Sequence, residues 1–378
     1  MWESLKRIFA SVADYIRECD KLLYFLCSAA TLFGCIAVLS AGSFKQFAVQ
    51  SVGFLIGLII TFLLSKFDYT HFKRIWPLAA VAGLLPVILT FYIGYAPDGT
   101  DDKAWLMLPG DISFQPAEFL KVIFVITFSL HICKVEDKIN RPLHLLLLCL
   151  HGAFPVVLIH LQGDDGTAVI FFVMFLVMMY SAGLKLRYFI AAGAVIAIGV
   201  PVAYFYILHD EQRSRIMSLF NPEADLLGTG WQQWRGRIAF ANGGIFGKGL
   251  FHGDLVQSGS IPEGYNDFIL ASIAEELGLI GCLAVFLLLM GICFRILVIG
   301  HRARDLNGSL ICAGVFAMIT AQIIINVGMC VSWLPVIGVT LPFFSAGGTS
   351  LCCLYCGIGL VMSVYMHRTS RTLYLHGD

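Results

Sequence analysis

Asp267 lies where a long polar loop gives way to a long apolar segment. The residues around it, 261–281, read IPEGYNDFILASIAEELGLIG. A carboxylate at the boundary between water and hydrocarbon is costly unless it is paired or used in function. Glu263 precedes Asp267, and the apolar segment that follows contains Glu275 and Glu276. Packing alone does not require so many acids in such a place. We therefore take Asp267 as the candidate catalytic carboxylate and Glu263 as a candidate substrate contact.

A second polar group opens another apolar segment, with the sequence QPAEFLK over residues 115–121. Proline in the first turn favours a helix start. Gln115, Glu118 and Lys121 are three residues apart, so their side chains fall within about a third of the helix circumference, and Lys121 lies about 9 Å along the helix. A Glu–Lys pair inside a membrane is a candidate functional site. The alternative is an internal salt bridge that holds the helices together, and the two interpretations are compatible.

Three further candidates lie in loops or at helix starts. Asp164 opens an apolar segment, where the helix dipole favours an acid, so a helix cap and a role in a polar cavity are both open. Residues 334–350 contain two prolines and three glycines. This composition predicts a re-entrant or broken segment whose backbone is satisfied by protein or water. Ser345 lies in that segment, and Trp105 supplies a large aromatic side chain in an earlier polar loop.

The composition indicates the class of protein that must position these residues. Of the 378 residues, 58% are hydrophobic and 13% are charged, whereas soluble domains carry about 25% charged residues. The mean hydropathy is +0.82, which predicts a polytopic membrane protein. The formal net charge is zero, so nothing indicates nucleic acid. The twelve cysteines lie almost all in apolar runs and are interpreted as small apolar fillers, including Cys353 and Cys356, whose spacing alone would suggest redox chemistry.

The fold class predicted is an all-α polytopic membrane protein with about ten transmembrane helices. Segments of spanning length lie at 21–41, 46–65, 77–96, 116–133, 142–160, 166–183, 188–208, 268–298, 308–331 and 347–366. The eighth is too long to be only a span, so we expect its ends to project from the bilayer or to bend. Residues 1–20 repeat apolar side chains at helical spacing, which predicts a cytoplasmic amphipathic helix in the interface, and a frayed tail is the alternative. Residues 21–367 form the membrane domain and 368–378 a cytoplasmic tail.

Loop charges predict the orientation. One set of loops holds seventeen Lys and Arg residues, whereas the short loops on the other side hold only Lys45 and Lys103. Positive loops face the cytoplasm, so both termini are predicted to be cytoplasmic. Asp267, Glu118, Lys121, Asp164, Trp105 and Ser345 then all lie at the outer ends of their spans, which predicts a polar pocket open to the outer leaflet. The chain shows no internal repeat, which weighs against transporters built from two similar halves.

The outer loop between the seventh and eighth spans covers residues 209–267. A loop of this length without strong periodicity is usually functional. Trp231 and Trp234 fit short helices that lie on the membrane. The glycines of residues 243–249, GGIFGKG, permit tight turns beside a substrate, although no strand precedes them and the pattern is weak as a phosphate motif.

Several of these blocks, in order, resemble the SEDS (shape, elongation, division and sporulation) family of bacterial membrane glycosyltransferases. The resemblance runs from the first span to residue 367, and the short amino terminus and the His209-Asp210 loop start favour its elongation member over its division member. Its strongest blocks are 115–121, 208–220, 221–230, 243–253, 261–281 and 326–350. The departures from the family pattern are Ala104, Ala117, Asp165, Asn266 and Ala346.

The resemblance implies polymerisation of lipid II into glycan strands at the outer face of the bacterial cytoplasmic (inner) membrane, during cell elongation and shape maintenance. Asp267 matches the family's catalytic aspartate, residues 115–118 match its Gln-Pro-Ser-Glu motif, and Lys121 matches its lysine. The departures bear on the secondary substrate contacts and leave Asp267 unaffected.

The implied chemistry assigns Asp267 as the base that takes a proton from the acceptor sugar hydroxyl. The leaving lipid pyrophosphate needs cationic help. Lys121, held by Glu118, is the preferred cation, and Arg213, Arg215 or a divalent metal (Mg²⁺ or Mn²⁺) are alternatives. No metal-ligand spacing is visible and no covalently bound cofactor is expected, so a metal would be carried mainly by the pyrophosphate.

Two other functions stay open: a flippase for the lipid-linked precursor, and a non-catalytic scaffold for a transpeptidase. Asp267 distinguishes a flippase from a polymerase, because a flippase should tolerate the replacement of Asp267 by Asn better than a polymerase would. The partners that the resemblance implies are lipid II, the growing glycan strand, a class B penicillin-binding protein transpeptidase and other membrane proteins of the elongation complex.

Overall fold

The computed structural model describes residues 15, 17–96, 103–108, 112–206, 213, 217 and 229–368. It has ten long apolar helices, which confirms an all-α polytopic membrane fold. Nine of them are long and apolar enough to cross a membrane, and the tenth, α6, is an apolar helix of 17 residues. The interfacial helix predicted over residues 1–20 and the tail predicted over residues 368–378 lie almost entirely outside the described residues.

The helices occur where the apolar segments predict them. The spans are α1 (Lys21–Ala41), α2 (Phe44–Lys66), α3 (Phe72–Ile93), α4 (Pro116–Lys134), α5 (Pro142–His160), α6 (Asp165–Ser181), α7 (Leu186–Tyr206), α10 (Ile269–His301), α11 (Leu306–Cys330) and α12 (Gly348–Met366). Between α7 and α10 lie α8 (Thr229–Gly243) and the four-residue α9 (Asp254–Gln257). A two-stranded antiparallel hairpin, β1 (Leu106–Leu108) and β2 (Ile112–Phe114), precedes α4.

Local sequence sets the helix starts. The Asp20 carboxylate caps α1 by accepting from the Leu23 amide at 2.8 Å. Ser43 and Gln46 form a capping box at the start of α2, in which each side chain satisfies a backbone amide of the other. Proline opens both α4 and α5, where its missing N–H leaves no donor unsatisfied.

Three helices, α4, α11 and α12, form the interior of the bundle and bury most of their residues. α12 packs most extensively against α2. Gly53 and Gly348 permit this approach, since a Cβ added at Gly53 would lie 2.7 Å from the Gly348 Cα. Small residues at helix contacts are typical of membrane proteins because backbones can then approach closely. The cysteines fit the same pattern: all twelve lie in the described part of the chain, form no disulfide there, and are buried or partly buried, as predicted for apolar fillers.

The basic loops meet at one end of the bundle, here called the basic end. Arg295 binds the Asp20 carboxylate through its Nε at 2.8 Å, and Arg304 binds Asp68 at 3.1 Å. Arg304 also donates to the His367 carbonyl oxygen at 3.1 Å. Both ends of the described chain therefore lie at the basic end, as an even number of spans requires. That this end faces the cytoplasm stays a prediction.

The long helix α10 is broken at Gly278, which is one of the two outcomes that its length predicted. Gly278 has φ 66° and ψ −161° inside the helix. The amides of Leu279 and Ile280 donate to the Gly244 and Ile245 carbonyls, at 2.9 and 3.2 Å. The carbonyls of Glu275 and Glu276 in turn accept from the amides of residues 248 and 249 at 3.0 and 2.8 Å. The glycine-rich segment 243–249 thus replaces helical hydrogen bonds that the break removes.

Candidate functional site

Asp267 lies two residues before α10, at the end of the bundle opposite the basic end. A tight turn presents it: the amides of Asn266 and Phe268 both donate to the Glu263 carbonyl oxygen, at 2.9 and 3.0 Å. Glu263 itself has φ 48°, a left-handed conformation that non-glycine residues rarely adopt. Such strain persists only where the surroundings fix it, and it concentrates at functional sites.

The Asp267 carboxylate has no hydrogen-bond or ion-pair partner among the described residues, although its side chain is partly buried. Burial, followed by the nearby acids Glu263 and Asp164, raises the pKa of Asp267 to about 7. Burial disfavours the charged form of a carboxyl group, and neighbouring negative charges add to this effect. A carboxylate of this kind is poised to accept a proton near neutral pH.

The backbone of residues 265–267, which carries this carboxylate, is held by three hydrogen bonds from residues later in the chain. The Ala346 amide donates to the Tyr265 carbonyl at 3.0 Å, the Ser345 hydroxyl to the Asn266 carbonyl at 2.7 Å, and the Asn326 side-chain amide to the Asp267 carbonyl at 2.8 Å. Ser345, predicted as a substrate contact, is buried, and its hydroxyl also accepts from the Leu341 amide at 2.8 Å. In this structure Ser345 supports the Asp267 turn.

The predicted pair of Glu118 and Lys121 is present in the first turns of α4. Lys121 Nζ lies 2.6 Å from Glu118 Oε1, and Lys121 has no exposed surface. Ser350 of α12 donates to the other Glu118 oxygen at 3.4 Å. Because its ammonium is enclosed and paired, Lys121 does not reach a ligand in this conformation, and the predicted contact with a pyrophosphate would need the site to open.

Asp164 interacts electrostatically with both the Glu118–Lys121 pair and Asp267. Its carboxylate caps α6 by accepting from the Thr167 amide at 2.9 Å, and it accepts from the Gln115 side-chain amide at 2.5 Å. Burial raises the pKa of Asp164, and the Thr167 amide partly opposes that rise. The two roles considered for Asp164, helix cap and member of the polar site, are thus both compatible with the structure.

A small cavity lies beside Glu118, bounded by α4, α11, α12 and the extended segment 331–347. Gln322, Ser345 and Ser350 are among its polar lining residues, and its volume is about 20 Å³. A cavity of about 10–15 Å³ or more holds one water molecule, so this one cannot hold a sugar. Asp267 does not line it. The polar pocket open to the outer leaflet that the sequence predicts around Asp267 stays a prediction.

The remaining predicted residues lie apart from this cluster. Trp105 pairs its backbone with Tyr95, whose amide donates to the Trp105 carbonyl at 3.0 Å. The guanidinium of Arg213 donates to the carbonyls of Tyr204 and Phe205 at the end of α7, at 2.9 and 3.0 Å. Arg215 lies outside the described residues.

Glu275 and Glu276 anchor the polar loop. The Glu275 carboxylate accepts from the Leu255 and Val256 amides at 3.0 and 2.8 Å, and Glu276 accepts from Ser40 at 2.7 Å. The glycine-rich segment 243–249, expected beside a substrate, packs on the α10 backbone: a Cβ at Gly247 would lie 2.1 Å from the Glu276 carbonyl oxygen. The glycines are needed for this close approach to a helix.

Asn326 was not recognised as a candidate from the sequence. It opens the block 326–350 that carries part of the family resemblance, but an asparagine within an apolar helix has no distinctive spacing to a partner. Only the fold brings it to Asp267. No cluster of three or more His, Cys, Asp or Glu side chains suited to hold a metal ion occurs in the described part of the chain.

The sequence of the chain is similar to those of known peptidoglycan glycosyltransferases. The chain is 33% identical to peptidoglycan glycosyltransferase MrdB of Escherichia coli K12 over 316 residues, which cover 82% of this chain and 83% of the relative. It is 29% identical to a probable peptidoglycan glycosyltransferase FtsW of Trichlorobacter lovleyi, with 96% of each chain covered.

Solved structures share the fold. One, from a study of the structural coordination of polymerization and crosslinking by a peptidoglycan synthase complex, superposes with a TM-score of 0.80 and 26% identity, covering 93% of this chain and 99% of that chain. The crystal structure of Thermus thermophilus rod shape determining protein RodA superposes with a TM-score of 0.68 and 24% identity, covering 93% and 98% of the two chains. The profile of the family described as "Cell cycle protein", FtsW/RodA/SpoVE, matches residues 21–370. The chain therefore belongs to the FtsW/RodA/SpoVE family of multi-pass membrane proteins, the SEDS family.

Proposed function

We propose that this protein is a peptidoglycan glycosyltransferase that polymerises lipid II into glycan strands. The observation that carries the proposal is the Asp267 carboxylate, which is partly buried and without a partner among the described residues, whereas three hydrogen bonds fix the backbone around it. A carboxylate that served only packing would be paired. The names of the MrdB and FtsW relatives agree with this activity.

In the proposed reaction, Asp267 acts as general base. It accepts the proton of the acceptor sugar hydroxyl while that oxygen attacks the anomeric carbon of the donor. The new C–O bond forms as the bond from the anomeric carbon to the lipid pyrophosphate breaks, and the pyrophosphate leaves with the bonding electron pair. The raised pKa of about 7 matches a base that must be ionised to act and must also bind the proton effectively.

The pyrophosphate needs positive charge as it leaves. Lys121 is a buried cation that interacts electrostatically with Asp164, and its pairing with Glu118 keeps it in place until the substrate arrives. If Mg²⁺ or Mn²⁺ takes part, the pyrophosphate would be its main ligand, and the carboxylate oxygens of Asp267 and Asp164 are of the type that such ions prefer. No covalently bound cofactor is proposed.

The proposed setting is the outer face of the bacterial cytoplasmic (inner) membrane, during cell elongation and shape maintenance. The higher identity to MrdB, 33% against 29% for the FtsW relative, favours elongation over division. The proposed partners are the growing glycan strand, a class B penicillin-binding protein transpeptidase and other membrane proteins of the elongation complex. A structural neighbour studied as part of a peptidoglycan synthase that coordinates polymerization with crosslinking supports such a pairing.

The proposal is tested by incubating the purified chain with labelled lipid II, with and without a class B transpeptidase, and resolving the products by gel electrophoresis. We expect glycan strands. A parallel assay follows the movement of lipid II across liposomes that contain the chain. Transport without polymer, even with the partner and Mg²⁺, would establish the flippase alternative. Neither activity, under conditions in which the chain still binds the transpeptidase, would favour the scaffold.

A further inference from the structure

Asn326 is a fully buried amide in the last turns of α11. Its side-chain nitrogen donates to the Asp267 carbonyl at 2.8 Å and to the Val339 carbonyl at 2.7 Å. The single proton of the Cys330 thiol can go to the Asn326 side-chain oxygen, at 3.8 Å, or to the Asp267 carbonyl oxygen, at 3.6 Å. Both N–H donors of the Asn326 amide are used. A buried amide whose two donors are both bonded is a rigid connection.

The two carbonyls that Asn326 binds belong to different parts of the chain. Asp267 precedes α10, whose first amides donate to the carbonyls of Asn266 and Phe268. Val339 lies in the extended segment 331–347, which lacks regular structure. One side chain thus joins α11, the start of α10 and the extended segment at a single point.

The extended segment also faces the carboxylate. Gly338 precedes Val339 and has φ 65°, and a Cβ added there would lie 3.7 Å from Asp267 Oδ2. Fixing the Val339 carbonyl therefore fixes the backbone that faces the carboxylate. Fixing the Asp267 carbonyl fixes the backbone from which the carboxylate projects.

We propose that Asn326 is a positioning residue for the reaction, which holds the Asp267 carboxylate in its reactive orientation through the Asp267 and Val339 carbonyls. The inference rests on the proposed function, since it gives Asp267 the role of base. Asn326 itself does not contact the substrate. A displacement of about 1 Å at a reacting group can lower a rate by about 100-fold, so a positioning residue acts chiefly on kcat.

The test compares Asn326→Leu, which keeps the volume and removes both donors, with Asn307→Leu. Asn307 is the matched control because it is a buried asparagine of the same helix, at the basic end and 3% exposed. Lipid II polymerisation gives kcat and KM for both variants, the wild type and Asp267→Asn. Amide hydrogen exchange of residues 265–270 reports the rigidity of the turn without reference to activity.

For Asn326→Leu we expect kcat to fall by about 10- to 100-fold, KM to change by less than about threefold, and exchange over residues 265–270 to accelerate. Asn307→Leu should leave kcat, KM and the exchange rates of residues 265–270 near their wild-type values. Equal losses in the two variants, or a loss in KM alone, would overturn the positioning role and leave a structural one. If neither the wild type nor Asp267→Asn polymerises lipid II, the proposed function fails, whereas equal polymerisation by both would remove Asp267 as the base and with it the positioning role of Asn326. Wild-type exchange rates in Asn326→Leu would independently overturn the inference.

Discussion

At the scale of single residues, the site combines a fixed backbone with a side chain that is left unsatisfied. Tyr265, Asn266 and Asp267 each have their carbonyl bonded to a donor from α11 or the extended segment. The carboxylate of Asp267 has no such partner in the described part of the chain. Natural proteins retain such an arrangement at a cost in stability where activity requires it.

The raised pKa of Asp267 predicts the pH dependence of the reaction. A base must be ionised, and below its pKa of about 7 most of the Asp267 carboxyl is protonated, so activity should rise with pH through about 7. Burial is the main cause of the shift and Glu263 the second. Replacing Glu263 by Gln removes a neighbouring negative charge, so the midpoint of the pH–kcat curve should move partway towards lower pH. A midpoint that stays in place or moves upwards would contradict this electrostatic account.

The buried pair of Lys121 and Glu118 gives a prediction that distinguishes a role in stability from a role in catalysis. Lys121→Met leaves Glu118 buried without its cation, which should destabilise the fold by about 3–5 kcal/mol. Adding Glu118→Gln removes the uncompensated charge and should restore most of that loss. Thermal unfolding in detergent measures both effects. If Lys121 also assists the leaving group, the stable double variant stays inactive, whereas recovery of polymerisation would reduce the pair to an internal salt bridge.

At the scale of elements, the sequence predicted the helices well because membrane spans need long apolar segments and their starts are specified by proline or capping residues. Pro116 begins α4 as predicted, whereas Asp20 and Ser43 cap helices that were located from their apolar segments alone. The length of the α10 segment predicted that its ends project from the bilayer or bend. It did not predict how the break is satisfied, because the partners come from residues 243–249, a segment that is distant in sequence.

The break at Gly278 can be tested by substitution. Its φ of 66° with ψ of −161° belongs to a region that essentially only glycine enters, at a cost of about 1–3 kcal/mol for other residues. A Cβ there would also lie 2.4 Å from the Gly247 amide nitrogen. Gly278→Ala should therefore lower the melting temperature and expose residues 243–259 to proteolysis.

Gly291→Ala is the control in the same helix. A Cβ at Gly291 meets only the flexible Leu26 side chain, at 3.2 Å, so the substitution should be nearly neutral. If Gly278→Ala and Gly291→Ala had the same melting temperature and the same sensitivity to proteolysis, the hydrogen bonds between residues 243–249 and α10 would not be a stabilising feature.

At the scale of the whole molecule, the sequence predicted that the residues of the candidate site lie at the same depth in the membrane. Loop charges alone placed Asp267, Glu118, Lys121 and Asp164 at one end, and the fold brings them into one electrostatic cluster. Trp105 shares that end without a contact to the cluster in the structure described. The sequence could not give the contacts within the site, since Asn326 and Ser345 reach the Asp267 turn only through the packing of α11 and the extended segment.

The orientation of the whole chain is open to a labelling experiment. Asp254, whose side chain is 74% exposed, lies in the polar loop before Asp267, and Lys138 lies exposed at the basic end. With Asp254→Cys and Lys138→Cys in intact cells, a membrane-impermeant maleimide should label the first, and the second only after permeabilisation. The unsubstituted chain, with its twelve native cysteines, provides the background. The reverse pattern would place Asp267 on the cytoplasmic side and exclude the proposed reaction at the outer face.

The most direct measurement is lipid II polymerisation by Asp267→Asn, beside Asp254→Asn as a matched change of an exposed acid in the same loop. Both variants should fold as the wild type does, by thermal unfolding in detergent. We predict that Asp254→Asn polymerises lipid II at the wild-type rate and that Asp267→Asn loses at least about 100-fold, the lower end of what general-base catalysis contributes. Equal polymer from Asp267→Asn and wild type would contradict the central claim that Asp267 is the base.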